Sequence, residues 1–591
     1  MYFRHETFRK FQKQFIDDIN KTIETKSVLL AEAPTGMGKT DAVISGTLDF
    51  VIDEGLTLLF LTPKISQHKI VLDVVEGINK KYNLNIKVTD MVGRKYLCIH
   101  PFLEQSDSDT FYPVCEKLRA KEMCDFYKRA IDKNNEEIIL GLNGYGDHKN
   151  VYELGKEHNF CPYEIITMFA KKANIIIADY FHLFIPKIRQ SFLSKIRKDL
   201  DTSIVVVDEA HNLPNRLRSQ MSSTINTYLI KKIRKELKQL NYDDLNLQPI
   251  FKKFVKKEGE SLLSIYDFKE YLETEYGLNF LKDFTKEAGF DYVERTNNRS
   301  ALLKAYRFFE QLDEIENSIL IGKKNDKFIS ISKRSLDPGL YSQTILNNAY
   351  ASILMSGTLR PLTMYKDILG INRKTYLKMY PSPFPEENRL FIITRGVSTK
   401  YTKRDVKQYK KYANMLNKIV NEVKEKVAVF FPSYEVMYGI APFVKFKYLM
   451  QKEGMNPREI YNLIKQFKES KGILFGVQGG SLSEGVDFNN NEIKVVVVLG
   501  VSLEKMSVEV QSLIDFYESK FHKGWQYAYI YPAIIKALQS AGRAIRKEKD
   551  RAAIILMDER FNWKNYKQLL PKSKYIITTE PWIYVKSFFN S

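Results

Sequence analysis

Short, unbroken apolar runs recur along the chain, each followed by a longer stretch in which apolar positions return every three or four residues. The runs lie at Val28–Leu30, Leu56–Thr62, Asn174–Tyr180, Ser203–Val207, Ala351–Met355, Val427–Phe431, Ile473–Val477, Val495–Val501 and Ala553–Leu556. A run without polar alternation predicts a strand covered on both faces, and strands alternating with amphipathic helices predict parallel sheets of βαβ units. The rhythm breaks from about Met91 to Glu164 and again from about Leu213 to Glu316, where helical patterns dominate. In the second break Phe251, Phe254 and Val255 form one apolar stripe, with Lys252, Lys253, Lys256 and Lys257 on the other faces. A run at Phe328–Ile331 predicts that the strand pattern then returns, and the Pro-punctuated stretch from about Pro361 to Pro385, with Tyr380–Pro385 its densest part, predicts an extended link before a second alternation. At 591 residues the chain is too long for one core. The pattern thus predicts an α/β chain with two parallel-sheet domains, the first interrupted by two insertions.

The first run leads into AEAPTGMGKT at Ala31–Thr40. Glycines at 36 and 38 let the backbone curl so that successive N–H groups, Met37's among them, converge on a phosphate. Lys39 would reach the β- and γ-phosphates, Thr40 would ligate Mg²⁺, and the helix N-terminus adds partial positive charge. Ala33 stands where the usual pattern has its first glycine. Upstream, Arg9 or Gln12 is a candidate to read an adenine edge. The run Ser203–Val207 ends in Asp208-Glu209-Ala210-His211, placing a carboxylate pair where parallel sheets bind ligands. Asp208 would hold Mg²⁺ through water, and Glu209 would orient or deprotonate the water that attacks the γ-phosphate. In the second half, Gly479 to Asp487 brings glycines near a ligand or a neighbouring backbone. Gln539, Arg543 and Arg546 are spaced i, i+4 and i+7, as on one helix face. Arginines aimed from a second domain suit a γ-phosphate, where they stabilise charge in the transition state.

Net charge is +20 with pI near 9.3, which favours a polyanionic partner, nucleic acid being the commonest. The first insertion does not share this balance: residues 91–165 hold 10 Lys/Arg against 13 Asp/Glu. Lysines of the second insertion, with Lys231, Lys232, Arg234, Lys235 and Lys238, are candidates for a nucleic-acid path or for a solvated helix face. The chain holds 37 Phe and 35 Tyr, enough to serve both cores and stacking on unpaired bases. No run is long enough for a membrane helix, and the N-terminus lacks the apolar core of a signal peptide, so the expected place is inside the cell. The chain's four cysteines, Cys98, Cys115, Cys124 and Cys161, all lie in the first insertion. Such a quartet reads as a zinc or iron–sulfur site, and the absence of closely spaced pairs leans toward the larger cluster.

Taken in order, APTGMGKT at Ala33–Thr40, GRKYLC at Gly93–Cys98, DEAH at Asp208–His211, SGTL at Ser356–Leu359, SEGVDF at Ser483–Phe488 and QSAGRAIR at Gln539–Arg546 resemble the superfamily 2 DNA helicases of the XPD/DinG type, most of all the archaeal form. The resemblance implies two RecA-like motor domains, an iron–sulfur insertion and a helical arch that together enclose single-stranded DNA. It divides the chain into motor domain 1 (1–90, 166–215 and 317–365), cluster domain (91–165), arch (216–316) and motor domain 2 (366–591), with neither a fused nuclease nor a long tail. It implies ATP and Mg²⁺, a [4Fe-4S] cluster on the four cysteines with Arg94 supporting its surroundings, and translocation and unwinding of forked duplexes from 5′ to 3′. Gly36 to Thr40, Gln12, Asp208 and Asp487 would bind nucleotide, and Glu209, Lys39, Gln539, Arg543 and Arg546 would act in hydrolysis. Gly479-Gly480-Ser481 stands where many members carry Arg-Gly-Lys. The expected setting is the cytoplasm of an archaeal cell, as a monomer with repair-protein partners. A translocase that strips proteins from DNA and a structural subunit of a repair or transcription assembly are the alternative readings.

Overall fold

Val28–Glu32 (β1) is buried at every position because it lies inside a sheet covered on both faces. Val28 and Leu30 belong to one apolar core while Leu29 and Ala31 belong to another, so successive side chains feed the two sides. In the computed structural model, which describes residues 1–132, 141–142, 144–423, 425–470, 472–484, 492–545 and 547–590, this sheet has eight strands. It continues with Thr57–Thr62 (β2), Val88–Asp90 (β3), Tyr145–Gly146 (β4), Ile175–Asp179 (β5) and Ser203–Val207 (β6). After the second insertion, which holds Ser223–Asn226 (β7), Gly259–Leu263 (β8), Ser318–Lys324 (β9) and Ile329–Ser335 (β10), it closes with Ala351–Ser356 (β11) and Thr375–Met379 (β12). The order is β12-β1-β11-β6-β2-β5-β3-β4, every pair parallel.

The second half builds a seven-stranded parallel sheet from Arg389–Thr394 (β13), Val427–Phe431 (β14), Tyr448–Met450 (β15), Ile473–Val477 (β16), Val495–Leu499 (β17), Ala552–Met557 (β18) and Tyr575–Thr578 (β19). Its order is β15-β16-β14-β17-β18-β13-β19, again with cores on both faces. The two parallel-sheet domains therefore stand as the hydrophobic pattern predicts. Among the described residues, no helix is long and apolar enough to cross a membrane.

The second insertion differs from the expected purely helical unit. Strands β7 to β10 form a four-stranded antiparallel sheet, order β7-β10-β9-β8, beside the helices at Thr227–Leu240, Ile265–Tyr276, Leu278–Thr296 and Ala301–Gln311. The run at Phe328–Ile331 thus belongs to this insertion and not to the motor sheet. The edge strands of this sheet, β7 and β8, leave no apolar run in the sequence because they are largely polar and half-exposed, as an antiparallel sheet with one wet face permits. The two insertions also touch: Leu103, Phe111 and Val114 of the first share an apolar cluster with Phe290, Val293 and Leu303 of the second. Asp109 pairs with Arg307 at 2.8 Å beside it.

Candidate functional site

The loop after β1 takes the backbone its glycines allow: φ is +87° at Gly36 and +75° at Gly38, which caps the helix Lys39–Asp53. Arg9 Nη1 donates to the Gly36 carbonyl at 2.8 Å and Gln12 Nε2 to that of Gly38 at 3.0 Å. Gln12 Oε1 accepts from Arg9 N at 2.9 Å, which closes the brace. In a trans peptide the N–H points opposite to the C=O, so tying these carbonyls back turns the following amides away from the brace. A Cβ at Gly38 would lie 2.4 Å from Gln12 Nε2, so a larger residue there would push Gln12 out of the brace as well as strain a left-handed backbone. Gln12 is buried with both polar atoms engaged, and Met37 sends its side chain into the core and keeps only its backbone for a ligand.

Asp208 and Glu209 follow β6 at the carboxyl edge of the sheet, as the sequence places them. Glu209 has φ +47°, a left-handed backbone that costs a residue with a Cβ about 1–2 kcal/mol. The hydroxyl of buried Tyr180 holds this turn, donating to the Asp208 carbonyl and, at 3.0 Å, to that of Glu209. Burial and the adjacent Glu209 charge push the Asp208 carboxyl up to about 7, against the pull of Lys39. Burial would raise Glu209 too, but the hydrogen bond from His211 and the charge of Lys39 hold it below its ordinary value. A divalent cation beside Asp208 would offset both effects and hold its carboxyl ionised.

Two further residues complete this edge, and the motif reading gave neither a role. Ser356, the last residue of β11, lies with its Oγ 2.6 Å from His211 Nδ1 and donates to Glu209 Oε2 at 3.1 Å. Thr358 N donates back to that Oγ at 3.2 Å. SGTL carried the only hint of Ser356, and the parallel pairing of β6 with β11 brings it to the carboxylates.

A cleft of about 1270 Å³ lies between the two parallel-sheet domains. Thr35, Glu209 and Gly357 line it from the first domain, and Gln539 and Arg543 from the second. The helix carrying Gln539 spans Tyr531–Ala541 and stops there, so Arg543 sits in the turn beyond Gly542 and not on a continued helix face. A glycine directly after the last helical residue is a common stop, which the i, i+4, i+7 spacing overlooked. Arg546 and Asp487 lie outside the described residues.

Cys98, Cys115, Cys124 and Cys161 line one small pocket with Arg94 and Arg119 at its rim. Cys98 follows the turn Arg94–Leu97, Cys115 is on the helix Ser108–Ala120, Cys124 precedes the helix Asp125–Asp132 and Cys161 caps the helix Pro162–Lys172. Burial pushes the thiols of Cys98 and Cys161 up to about 12 and raises Cys115, whose rise Arg94 and Arg119 oppose. Thiolates here need a bound positive group. Among the described residues no three of these sulfurs lie within 4.8 Å of one another. A tetrahedral zinc ion with Zn–S near ~2.3 Å would hold its sulfurs about 3.8 Å apart, closer than any three of the described sulfurs lie.

The family model described as Helicase C-terminal domain matches residues 416–574, and the model DEAD_2 matches residues 64–230. The ATP-dependent DNA helicase XPD of Sulfolobus acidocaldarius is 25% identical over 96% of this chain and 99% of its own. The general transcription and DNA repair factor IIH helicase subunit XPD of Dictyostelium discoideum is 22% identical over 97% of this chain and 88% of its own. A solved XPD helicase superposes with TM-score 0.71 at 22% identity, covering 97% of this chain and 100% of that one. The chain belongs to the XPD-type helicases. In this XPD-type chain the parallel-sheet domains are the two RecA-like domains, and Thr35 of the phosphate loop, Glu209 and Arg543 line the cleft between them.

Proposed function

We propose that this chain is an ATP-dependent DNA helicase that acts in DNA repair, translocating on single-stranded DNA from 5′ to 3′ and opening forked duplexes. The observation that carries the reading is the cleft in which Glu209 of one domain faces Gln539 and Arg543 of the other. Nucleotide phosphates settle on the amides of Gly36 to Thr40, with Lys39 on the terminal phosphates. Asp208 and Thr40 would hold Mg²⁺, which neutralises charge on the β- and γ-oxygens. Glu209, kept ionised by His211, Lys39 and Ser356, orients the attacking water and takes up its proton. Arg543, with Arg546, stabilises the charge that spreads over the transferring group, so hydrolysis requires the domains to be closed. Closure and release then move a strand lying across both domains, held through its phosphates and so weakly selective in sequence.

The four-cysteine pocket would hold a [4Fe-4S] cluster, which supplies a rigid staple at the root of the first insertion. Lysines 252, 253, 256 and 257 of the arch are candidates to line the strand's path. The protein acts inside the cell, as a monomer that meets repair partners. Lys39→Ala and Glu209→Gln should each abolish ATP hydrolysis stimulated by single-stranded DNA, while the protein still folds. Stimulated hydrolysis that survives either change would overturn the assignment. Cys115→Ser should remove the broad visible absorbance and the iron of the purified protein, and unwinding of a fork with it.

A further inference from the structure

A second cluster of ligating side chains lies at the base of the first insertion, and none of its members lines the cleft or the cysteine pocket. Asp90 ends β3, where the chain leaves the motor sheet for the insertion, and Asp147 and His148 follow β4, where it returns. One ligand atom from each of Asp90, Asp147 and His148 falls within 4.8 Å of the others. His148 Nδ1 is 2.6 Å from Asp90 Oδ2 and 3.8 Å from Asp147 Oδ1. Facing the same carboxylate from the helix His68–Tyr82, His68 Nδ1 approaches Asp90 Oδ2 at 3.5 Å.

His68 distinguishes this cluster from an ordinary buried ion pair. Its side chain is 1% exposed, and neither ring nitrogen makes a hydrogen bond of acceptable geometry. Native interiors rarely leave a buried imidazole so, and the ring's nearest polar neighbour is Asp90, itself 1% exposed. Two imidazoles and two carboxylates make a borderline donor set that suits zinc and its first-row neighbours better than Mg²⁺ or Ca²⁺. Asp147 keeps a share of its surface open and its Oδ1 accepts from Lys149 N at 2.7 Å, so the cluster retains one side from which an ion can enter.

We propose that Asp90, Asp147 and His148, joined by His68 once an ion draws in its ring from beside Asp90, form a divalent transition-metal site, zinc by ligand class, that pins both roots of the first insertion to the motor sheet. Binding replaces the proton shared by His148 Nδ1 and Asp90 with the ion, and gives His68 its missing partner. The site is independent of the cysteines, so it can be tested whether or not they carry a cluster.

The test is metal content and thermal unfolding of the full chain, stripped with a chelator, titrated with zinc and desalted. Wild-type protein should retain about one zinc per chain at this site, with its Tm raised by zinc. Cys115→Ser should keep that zinc, and the double substitution His68→Gln/His148→Gln should lose it with the iron content unchanged. Asp147→Asn, which alters a half-exposed residue, should fold as wild type in chelator and bind zinc at least about tenfold more weakly. It decides the matter if the double substitution fails to fold. Wild type that retains no zinc outside the cysteine pocket, or zinc binding and Tm response unchanged by these substitutions, would overturn the site and leave a buried Asp–His pair.

Discussion

Removing the Ser356 hydroxyl should slow hydrolysis without weakening nucleotide binding. Ser356 is fully buried and its Oγ meets three groups: His211 Nδ1 at 2.6 Å, Glu209 Oε2 at 3.1 Å and the Thr358 amide at 3.2 Å. Hydrogen bonds to a charged group are worth about 1.5–3 kcal/mol each. Glu209 keeps 30% of its side chain exposed to the cleft, so water takes over part of the lost bond and the low end of that range applies. About 1.5 kcal/mol of transition-state stabilisation corresponds to roughly a tenfold fall in kcat. Ser356 meets the phosphate loop through its backbone, whose carbonyl accepts from Ala33 N at 2.9 Å, and Ser356→Ala keeps that bond, so KM for ATP should hold. The acid limb of the pH–rate profile should also move upward, because Ser356 is one of the groups that hold the Glu209 carboxyl low, after His211 and Lys39. The assay is steady-state ATPase with saturating single-stranded DNA across pH. A kcat equal to wild type with an unmoved acid limb would show that Ser356 does not position Glu209.

Gln12→Ala removes the brace on the Gly38 carbonyl, and the loss of about 1 kcal/mol should raise the Kd for ATP about fivefold, measured by nucleotide titration at equilibrium. Burial raises the Glu32 carboxyl from 4.5 to about 7 despite the neighbouring Arg360. A raised folded-state value means stability that is full below pH 4.5 and is lost as pH rises through about 7. Glu32→Gln should therefore flatten the fall in stability that denaturant titrations of wild type show between pH 4.5 and 8, whatever the cost of leaving Arg360 without its counter-charge. Arg360 also donates to the Leu570 carbonyl of the second domain at 2.8 Å, so Arg360→Ala should loosen the domain pair and leave Glu32 buried without its counter-charge. Limited proteolysis in the 380–385 link should then quicken, and an unchanged rate would argue that the contact is incidental.

Hydrophobic order along the chain determined the two parallel sheets, because a strand covered on both faces must be apolar at every position and leaves a run that no helix or half-wet strand imitates. It determined the carboxylate edge and the phosphate loop for the same reason: each follows directly on such a run, as Asp208 follows Val207 and the loop follows β1. What depended on partners distant in the chain stayed hidden. The antiparallel strands at 223–226 and 259–263 are polar and become strands only by pairing with β10 and β9. Ser356 reaches Glu209 across 147 residues because β11 lies beside β6. Gln12 could be read from sequence as an adenine contact, whereas the fold commits both its polar atoms to the loop and to Arg9. Cysteine spacing leaned from zinc toward a cluster, and only the fold gathers the four cysteines around one pocket. His68 was one of several polar residues after the second strand, and only its burial against Asp90, which also pairs with His148, set it beside a cluster. Local pattern fixes what each segment must bury, while the register of the sheets decides which polar groups the burial brings together.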